Sequence, residues 1–183
     1  MWNADLFARA LDFAAKAHGD QKVPGTGYPY TTHVTKVAME VLRACTETPT
    51  LDVDLACTCA LLHDCVEDAG VTRAQLVEAF GEKVAAGVSA LTKDEAVPKA
   101  ERMADSLARI RAQPREVWLV KLADRITNLE APPYYWTQDK RRAYREEAKA
   151  IHAALADAHA GLAARLQQRI DAYEAYASQG PTS

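Results

Sequence analysis

No pair of cysteines in this chain has the C-x-x-C spacing of a zinc ribbon. The four cysteines are Cys45, Cys57, Cys59 and Cys65, three of them in or beside the apolar stretch LACTCALLHDCVED. Their expected state is reduced and buried in a core. No apolar run approaches the roughly 20 residues that a membrane span requires, so no membrane partner is expected. The net charge of −3 gives no overall bias toward nucleic acid. An anionic substrate would have to be met by local positive charge or by a metal. The opening MWNADLFARALDFAAKAHGD carries early acidic residues and helical periodicity, unlike a signal peptide. A cytoplasmic location is therefore expected. Strand signals are weak, and neither an internal repeat nor a domain linker is present.

What the chain does have is a composition typical of a soluble globular protein, 49% apolar and 26% charged. Its 183 residues suit one domain with one sizeable core. The expected organisation is a single domain over 1–177 and a disordered tail over 178–183. The reading is all-α. Leu6, Ala10, Phe13, Ala14 and Ala17 recur at helical steps and predict a helix over 3–18. GDQKVPGTGYPY must be a loop, and a short β-hairpin is allowed near 19–31. Helices are predicted over 32–46, capped by Thr31 or Thr32, and over 52–66, capped by Asp52 or Asp54. Two short helices break near Gly81. A polar helix is predicted over 95–112. Pro114 and Pro132-Pro133 bracket a helix over 115–130. A long Ala-rich helical stretch, kinked near Gly161, is predicted over 136–177.

The chemistry concentrates in LLHDCVEDAG, residues 61–70. A core helix avoids unpaired charge, because burying it costs several kcal/mol, roughly. On one continuous helix His63 and Asp64 lie about 100° apart and both reach an ion at its edge. Glu67 and Asp68 each follow by one turn. His33 opens an earlier helix. Asp124 interrupts the apolar face made by Val120, Leu122, Ile126 and Leu129, with Asn128 one turn on. Two imidazoles and two carboxylates suit Mn²⁺, Fe²⁺ or Zn²⁺. Each residue also has a plainer role available: a satisfied histidine at His33, an Asp124–Arg125 surface ion pair, a helix cap at Glu67 or Asp68. The conjunction favours a metal.

The H…HD…D order, with AAKAHGDQK…GYPYTTH, LLHDCVEDAG, VSALTK and VKLADRITNL, resembles the HD superfamily of metal-dependent phosphohydrolases. Within it, the words are similar to the hydrolase domain of RelA/SpoT proteins and to stand-alone small alarmone hydrolases, over about residues 5–150. That resemblance implies an HD-domain helical bundle. It implies an Mn²⁺-dependent enzyme that removes the 3′-pyrophosphate of (p)ppGpp and so relieves a stringent response. It implies His33, His63, Asp64 and Asp124 as metal ligands, and Glu67 and Asp68 as the catalytic pair acting on water. It implies Lys99, Asn128, Lys140 and Tyr144 as substrate-binding residues. The partner is a small nucleotide, not nucleic acid, and a homo-oligomer is left open.

Several positions depart from the family's words. Val23 stands where an arginine usually packs on the guanine base, and a valine offers no guanidinium plane. Val34, Thr127, Glu130 and Lys140 stand for the family's Pro, His, Arg and Arg. Two rival readings follow. One is hydrolysis of another phosphorylated nucleotide, such as an adenine alarmone or the 2′-phosphate of NADPH. The other is a non-catalytic nucleotide sensor, against which the intact Glu67–Asp68 pair argues. His18 is expected at a helix end near the pocket mouth, and His152 and His159 on the surface. Trp118, Trp136, Tyr134 and Tyr135 are expected between helices.

Overall fold

A computed structural model describes residues 2–178. Within them the chain is helical, and the only β pairing is one antiparallel bridge between Lys22 and Pro29. That bridge is the whole of the hairpin allowed near 19–31. Helix α1 (Ala4–His18) starts where the Asn3 side chain accepts from the Leu6 N–H. Helix α2 is Thr31–Glu47 and α3 is Val53–Leu62. Asp52 caps α3 through the Leu55 N–H, as expected. The expected threonine cap of α2 is absent: the helix already includes Thr31, and Tyr30 precedes it.

Every residue of α3 from Leu55 to Leu62 is buried. A helix apolar on all sides must be surrounded, and α1, α2, α6 (Glu82–Leu91) and α8 (Arg115–Asn128) surround this one. All four cysteines are free and buried, as expected.

Helices α5 (Arg73–Phe80) and α6 (Glu82–Leu91) break at Gly81. Helix α6 lies close against α3 at Gly87, where a Cβ would come within 2.9 Å of Cys59 Sγ. Helix α8 (Arg115–Asn128) follows Pro114, as the prolines indicate.

Further expectations are corrected. The predicted helix over 52–66 is interrupted: α3 ends at Leu62 and α4 (Cys65–Ala69) restarts after Asp64. Asp64 has φ −100° and ψ −2°, and its carbonyl accepts the Asp68 N–H that begins the new helix. The polar helix over 95–112 is shorter, α7 being Arg102–Arg111. Pro98 lies in the preceding loop, where a helix would lack its N–H. The stretch over 136–177 is two helices, α9 (Gln138–Leu155) and α10 (Ala160–Ser178), joined by a 3₁₀ turn at Ala156–Ala158. They run antiparallel, since Arg142 bonds the Ala177 carbonyl and Arg145 the Ile170 carbonyl. His159 causes the reversal: its backbone is extended, and its Nδ1 accepts the Leu162 N–H at the start of α10. It is therefore buried rather than on the surface, and His152 is half-buried. Finally, Tyr134 and Tyr135 are exposed rather than packed between helices. Trp118 is half-buried against the core, as expected, and Trp136 is half-buried in the loop before α9, against Tyr144.

Ser178 ends α10, and the rest of the expected tail lies outside the described residues. Among the described residues no helix is long and apolar enough to cross a membrane.

Candidate metal centre

The break between α3 and α4 carries His63 and Asp64, and it faces the start of α2 and the end of α8. His33 Nε2, His63 Nε2 and an Asp64 carboxylate oxygen all lie within 4.8 Å of one another. Asp124 Oδ1 completes the group at 3.4 Å from His33 Nε2 and 3.6 Å from His63 Nε2. His63 Nδ1 donates to the Ala60 carbonyl at 2.8 Å, which turns the Nε2 lone pair inward. Thr127 Oγ1 donates to the Asp124 carbonyl, so it is placed to accept from His33 Nδ1 at 3.5 Å. Both rings thus face the centre with Nε2.

The electrostatics fit a cation. Burial alone would lower the pKa of His63, yet the Asp64 charge and bonds to Asp124 and Asp64 hold it well above its usual value. Burial would likewise raise Asp64, but the field of His63 and bonds from both histidines hold it far below the usual carboxylate range. Asp124 is held low against burial by Lys121 and the same histidines. Four inward donor atoms, two imidazole and two carboxylate, carry a formal charge of −2 when the rings are neutral. That donor set matches a divalent ion.

The group lies along a cleft of about 730 Å³. The cleft brings together every other residue singled out from the sequence: Glu67, Asp68, Lys99, Asn128, Lys140 and Tyr144. Glu67 is anchored, accepting from Lys93 Nζ at 2.7 Å and from the Lys93 N–H at 3.1 Å. Asp68 accepts a long bond from Gln21 Nε2 at 3.5 Å. Partial burial and the charges of Asp64 and Glu67 push its pKa up. Asn128 Nδ2 donates to Asp124 Oδ1 at 2.6 Å. Lys99 sits on the loop before α7. Lys140 lies over the Trp136 ring, 4.4 Å from its centroid.

Sequence reasoning missed four cleft residues. Tyr30 donates its hydroxyl to Asp64 Oδ2 at 2.6 Å. Lys93 holds Glu67. Lys121 lies 3.4 Å from Asp124 Oδ2. Arg125 does not pair with Asp124. It is buried, stacked 4.0 Å from the Tyr144 ring centroid and paired with Glu147. Tyr30 and the two α8 cations belong to the words GYPYTTH and VKLADRITNL, where the one-turn spacing of Lys121, Asp124 and Arg125 was a usable signal.

An all-helical domain with a buried His/His/Asp/Asp group at a helix break, opening on a charged cleft, defines a class of metal-site domain. The HD domain family matches residues 10–161, and the chain belongs to that family. It is 34% identical over 168 residues to a guanosine-3′,5′-bis(diphosphate) 3′-pyrophosphohydrolase of Danio rerio, covering 89% of this chain and 91% of that one. An Aquifex aeolicus protein of the same activity name is 32% identical over 157 residues, covering 84% of this chain. The matched region is 21% of that longer relative. The solved structure of a metazoan orthologue of SpoT, described as hydrolysing ppGpp, superposes with a TM-score of 0.80 at 26% identity, covering 94% of this chain and 97% of the other. A Listeria monocytogenes structure shares the fold, with a TM-score of 0.62 at 20% identity and coverage of 81% and 99%.

Proposed function

We propose that this chain is a divalent-metal-dependent hydrolase that removes the 3′-pyrophosphate from ppGpp and pppGpp, releasing GDP or GTP. One observation carries the reading. His63, Asp64 and Asp124 of the donor group, with His33 against Asp64 and Asp124, and the Glu67–Asp68 pair share one cleft with Lys93, Lys99, Arg102, Lys121, Arg125 and Lys140. These six cations face five carboxylates in the same cleft, Asp64, Glu67, Asp68, Asp124 and Glu147, so with a divalent ion bound the cleft is net positive and suits a polyanionic nucleotide in a protein of net charge −3. The likeness to the Danio rerio hydrolase over most of both chains supports the same substrate.

The four-residue group holds the metal, with Mn²⁺ as the preferred ion and Fe²⁺ or Zn²⁺ as alternatives for a mixed N/O set. Such an ion, when bound, makes a coordinated water acidic and polarises a phosphate oxygen. Asp68, with its raised pKa and little else bonded to it, takes the proton from the attacking water. Glu67, anchored by Lys93, fixes the water's orientation. The water oxygen bonds to the phosphorus attached to the ribose 3′ oxygen. The bond from that phosphorus to the ribose oxygen breaks, pyrophosphate leaves, and the ribose oxygen gains a proton. Lys99 and Lys140 meet phosphate, Tyr144 walls the nucleotide, and Asn128 steadies Asp124. We take residues 1–177 as one hydrolase domain acting on a cytoplasmic nucleotide.

A second reading rests on Val23. It packs against the hydrophobic core, so that position presents no guanidinium to a base. Another phosphorylated nucleotide, such as an adenine alarmone or NADPH, is the alternative substrate.

The test is product analysis after incubating the protein with ppGpp and Mn²⁺, with EDTA as control. Metal-dependent GDP and pyrophosphate support the reading. Intact ppGpp with bound Mn²⁺ overturns the substrate and turns the test to the alternatives.

A further inference from the structure

The loop between α1 and α2 does more than connect them. Its two ends are joined where the Tyr30 N–H donates to the Gln21 carbonyl at 3.0 Å. From this joint two side chains reach α4 and its entry. The Tyr30 hydroxyl donates to Asp64 Oδ2 at 2.6 Å, the same oxygen that lies 2.9 Å from His63 Nε2. The Gln21 amide donates to Asp68 Oδ2 at 3.5 Å. His18, the last residue of α1, stands behind both. Its ring lies 4.6 Å from that of Tyr30, and its Nδ1 is 2.8 Å from Gln21 Oε1. Its Nε2 faces Cys65 Sγ at 3.8 Å. The chain of donors has one consistent direction. The Cys65 S–H donates to His18 Nε2, leaving the proton on Nδ1. His18 Nδ1–H donates to the Gln21 oxygen, which turns the Gln21 NH₂ toward Asp68. His18 is 5% exposed and Tyr30 8%, so neither direction is set by solvent.

We infer that Tyr30 and Gln21, backed by His18, are positioning residues that clamp two carboxylates of different function: Tyr30 holds Asp64 for the metal, and Gln21 holds Asp68 for the water. The inference rests on the functional reading above for the role of Asp68, while the Asp64 half concerns metal affinity alone. Outer partners of metal ligands are worth about 10- to 100-fold in affinity. The two halves therefore separate in experiment.

The test compares Tyr30→Phe, Gln21→Met and His18→Phe with the wild type, by Mn²⁺ titration of the metal-free protein and by ppGpp turnover at saturating Mn²⁺. Tyr30→Phe is expected to weaken Mn²⁺ binding about tenfold or more. Gln21→Met is expected to lower kcat about 10- to 100-fold, approaching the cost of a ~1 Å misplacement of a catalytic group, with KM and Mn²⁺ affinity unchanged. His18→Phe keeps a ring against Tyr30 and loses the Gln21 bond, so it should reproduce Gln21→Met. Unchanged Mn²⁺ affinity in Tyr30→Phe overturns the Asp64 half. Unchanged kcat in Gln21→Met overturns the Asp68 half. Parallel losses of Mn²⁺ affinity, kcat and melting temperature in all three variants overturn the clamp in favour of a general packing role. A wild type that binds Mn²⁺ but leaves ppGpp intact overturns the functional reading and the Asp68 half together, and Mn²⁺ affinity alone then decides the Asp64 half.

Discussion

The Nε2 atoms of His33 and His63 face each other at 3.4 Å although 30 residues separate them in sequence. With both rings bonded through Nδ1, their neutral forms turn two Nε2 lone pairs toward one point, an arrangement that suits a shared cation. A ligand that binds only the folded state stabilises it, by about 2.7 kcal/mol at a hundredfold excess over its Kd. Mn²⁺ at that excess should therefore raise the melting temperature, and EDTA should reverse the shift. His63→Ala should show none. Calorimetry with and without Mn²⁺ checks this, and an equal shift in His63→Ala would remove His63 from the ligand set.

Glu67 and Asp68 are neighbours with unequal surroundings. Lys93 holds Glu67 from two sides, while Asp68 has its pKa pushed up. Asp68→Asn should lower kcat by about 10²- to 10⁴-fold, the usual size of a lost acid–base group, and leave Mn²⁺ affinity nearly intact. Steady-state kinetics alongside metal titration tests the assignment. A loss confined to KM would count against it.

Gly87 packs α6 against α3 and α8, and a methyl there would lie 2.9 Å from Cys59 Sγ and 3.0 Å from Val117 Cγ2. Alanine is the better helix former by about 1 kcal/mol. Overpacking a core costs about 1–3 kcal/mol, which outweighs it. Gly87→Ala should lower stability in urea unfolding, and Cys59→Ala added to it should recover part of the loss.

Asp52 caps α3 and accepts from Lys83 Nζ at 2.8 Å. The Lys83 bond first, then the Leu55 N–H, hold its pKa below the ordinary value of 3.8. A carboxyl lowered on folding adds stability above its unfolded pKa, and that stability is lost as pH falls through the lower, folded value. Asn at this position keeps the cap and loses the charge. Asp52→Asn should therefore melt slightly below the wild type at neutral pH, with the gap closing below about pH 4. The pair is exposed, so the gap is small, at most about 1 kcal/mol.

Burial pushes the thiols of Cys57, Cys59 and Cys65 up to about 12 and that of Cys45 to about 11. The thiolate is the reactive form. A thiol reagent at pH 8 should label none of the four quickly in the native protein and all four in denaturant.

The sequence alone determined the identities of the chemical groups and most helix ends. His63, Asp64 and Asp124 stood out because charge interrupted apolar helical patterns, and burying charge is costly enough that such interruptions carry meaning, while His33 stood out as the histidine opening an earlier helix. Asp52 and the Pro114 and Pro132-Pro133 brackets were readable because caps and prolines act within one turn of chain. The tertiary structure decided what depends on distant contacts. The helix break at His63–Asp64 is not encoded by any proline or glycine between Leu62 and Cys65. His63 bonds back to Ala60, and the two side chains meet His33 and Asp124 from other helices. The clamp from Tyr30 to Asp64 spans 34 residues and that from Gln21 to Asp68 spans 47, beyond any local period. His159 was misjudged for the same reason. Its spacing on a helix suggested exposure, but it caps the next helix, and a buried ring with a bonded nitrogen is stable where a solvated one was expected.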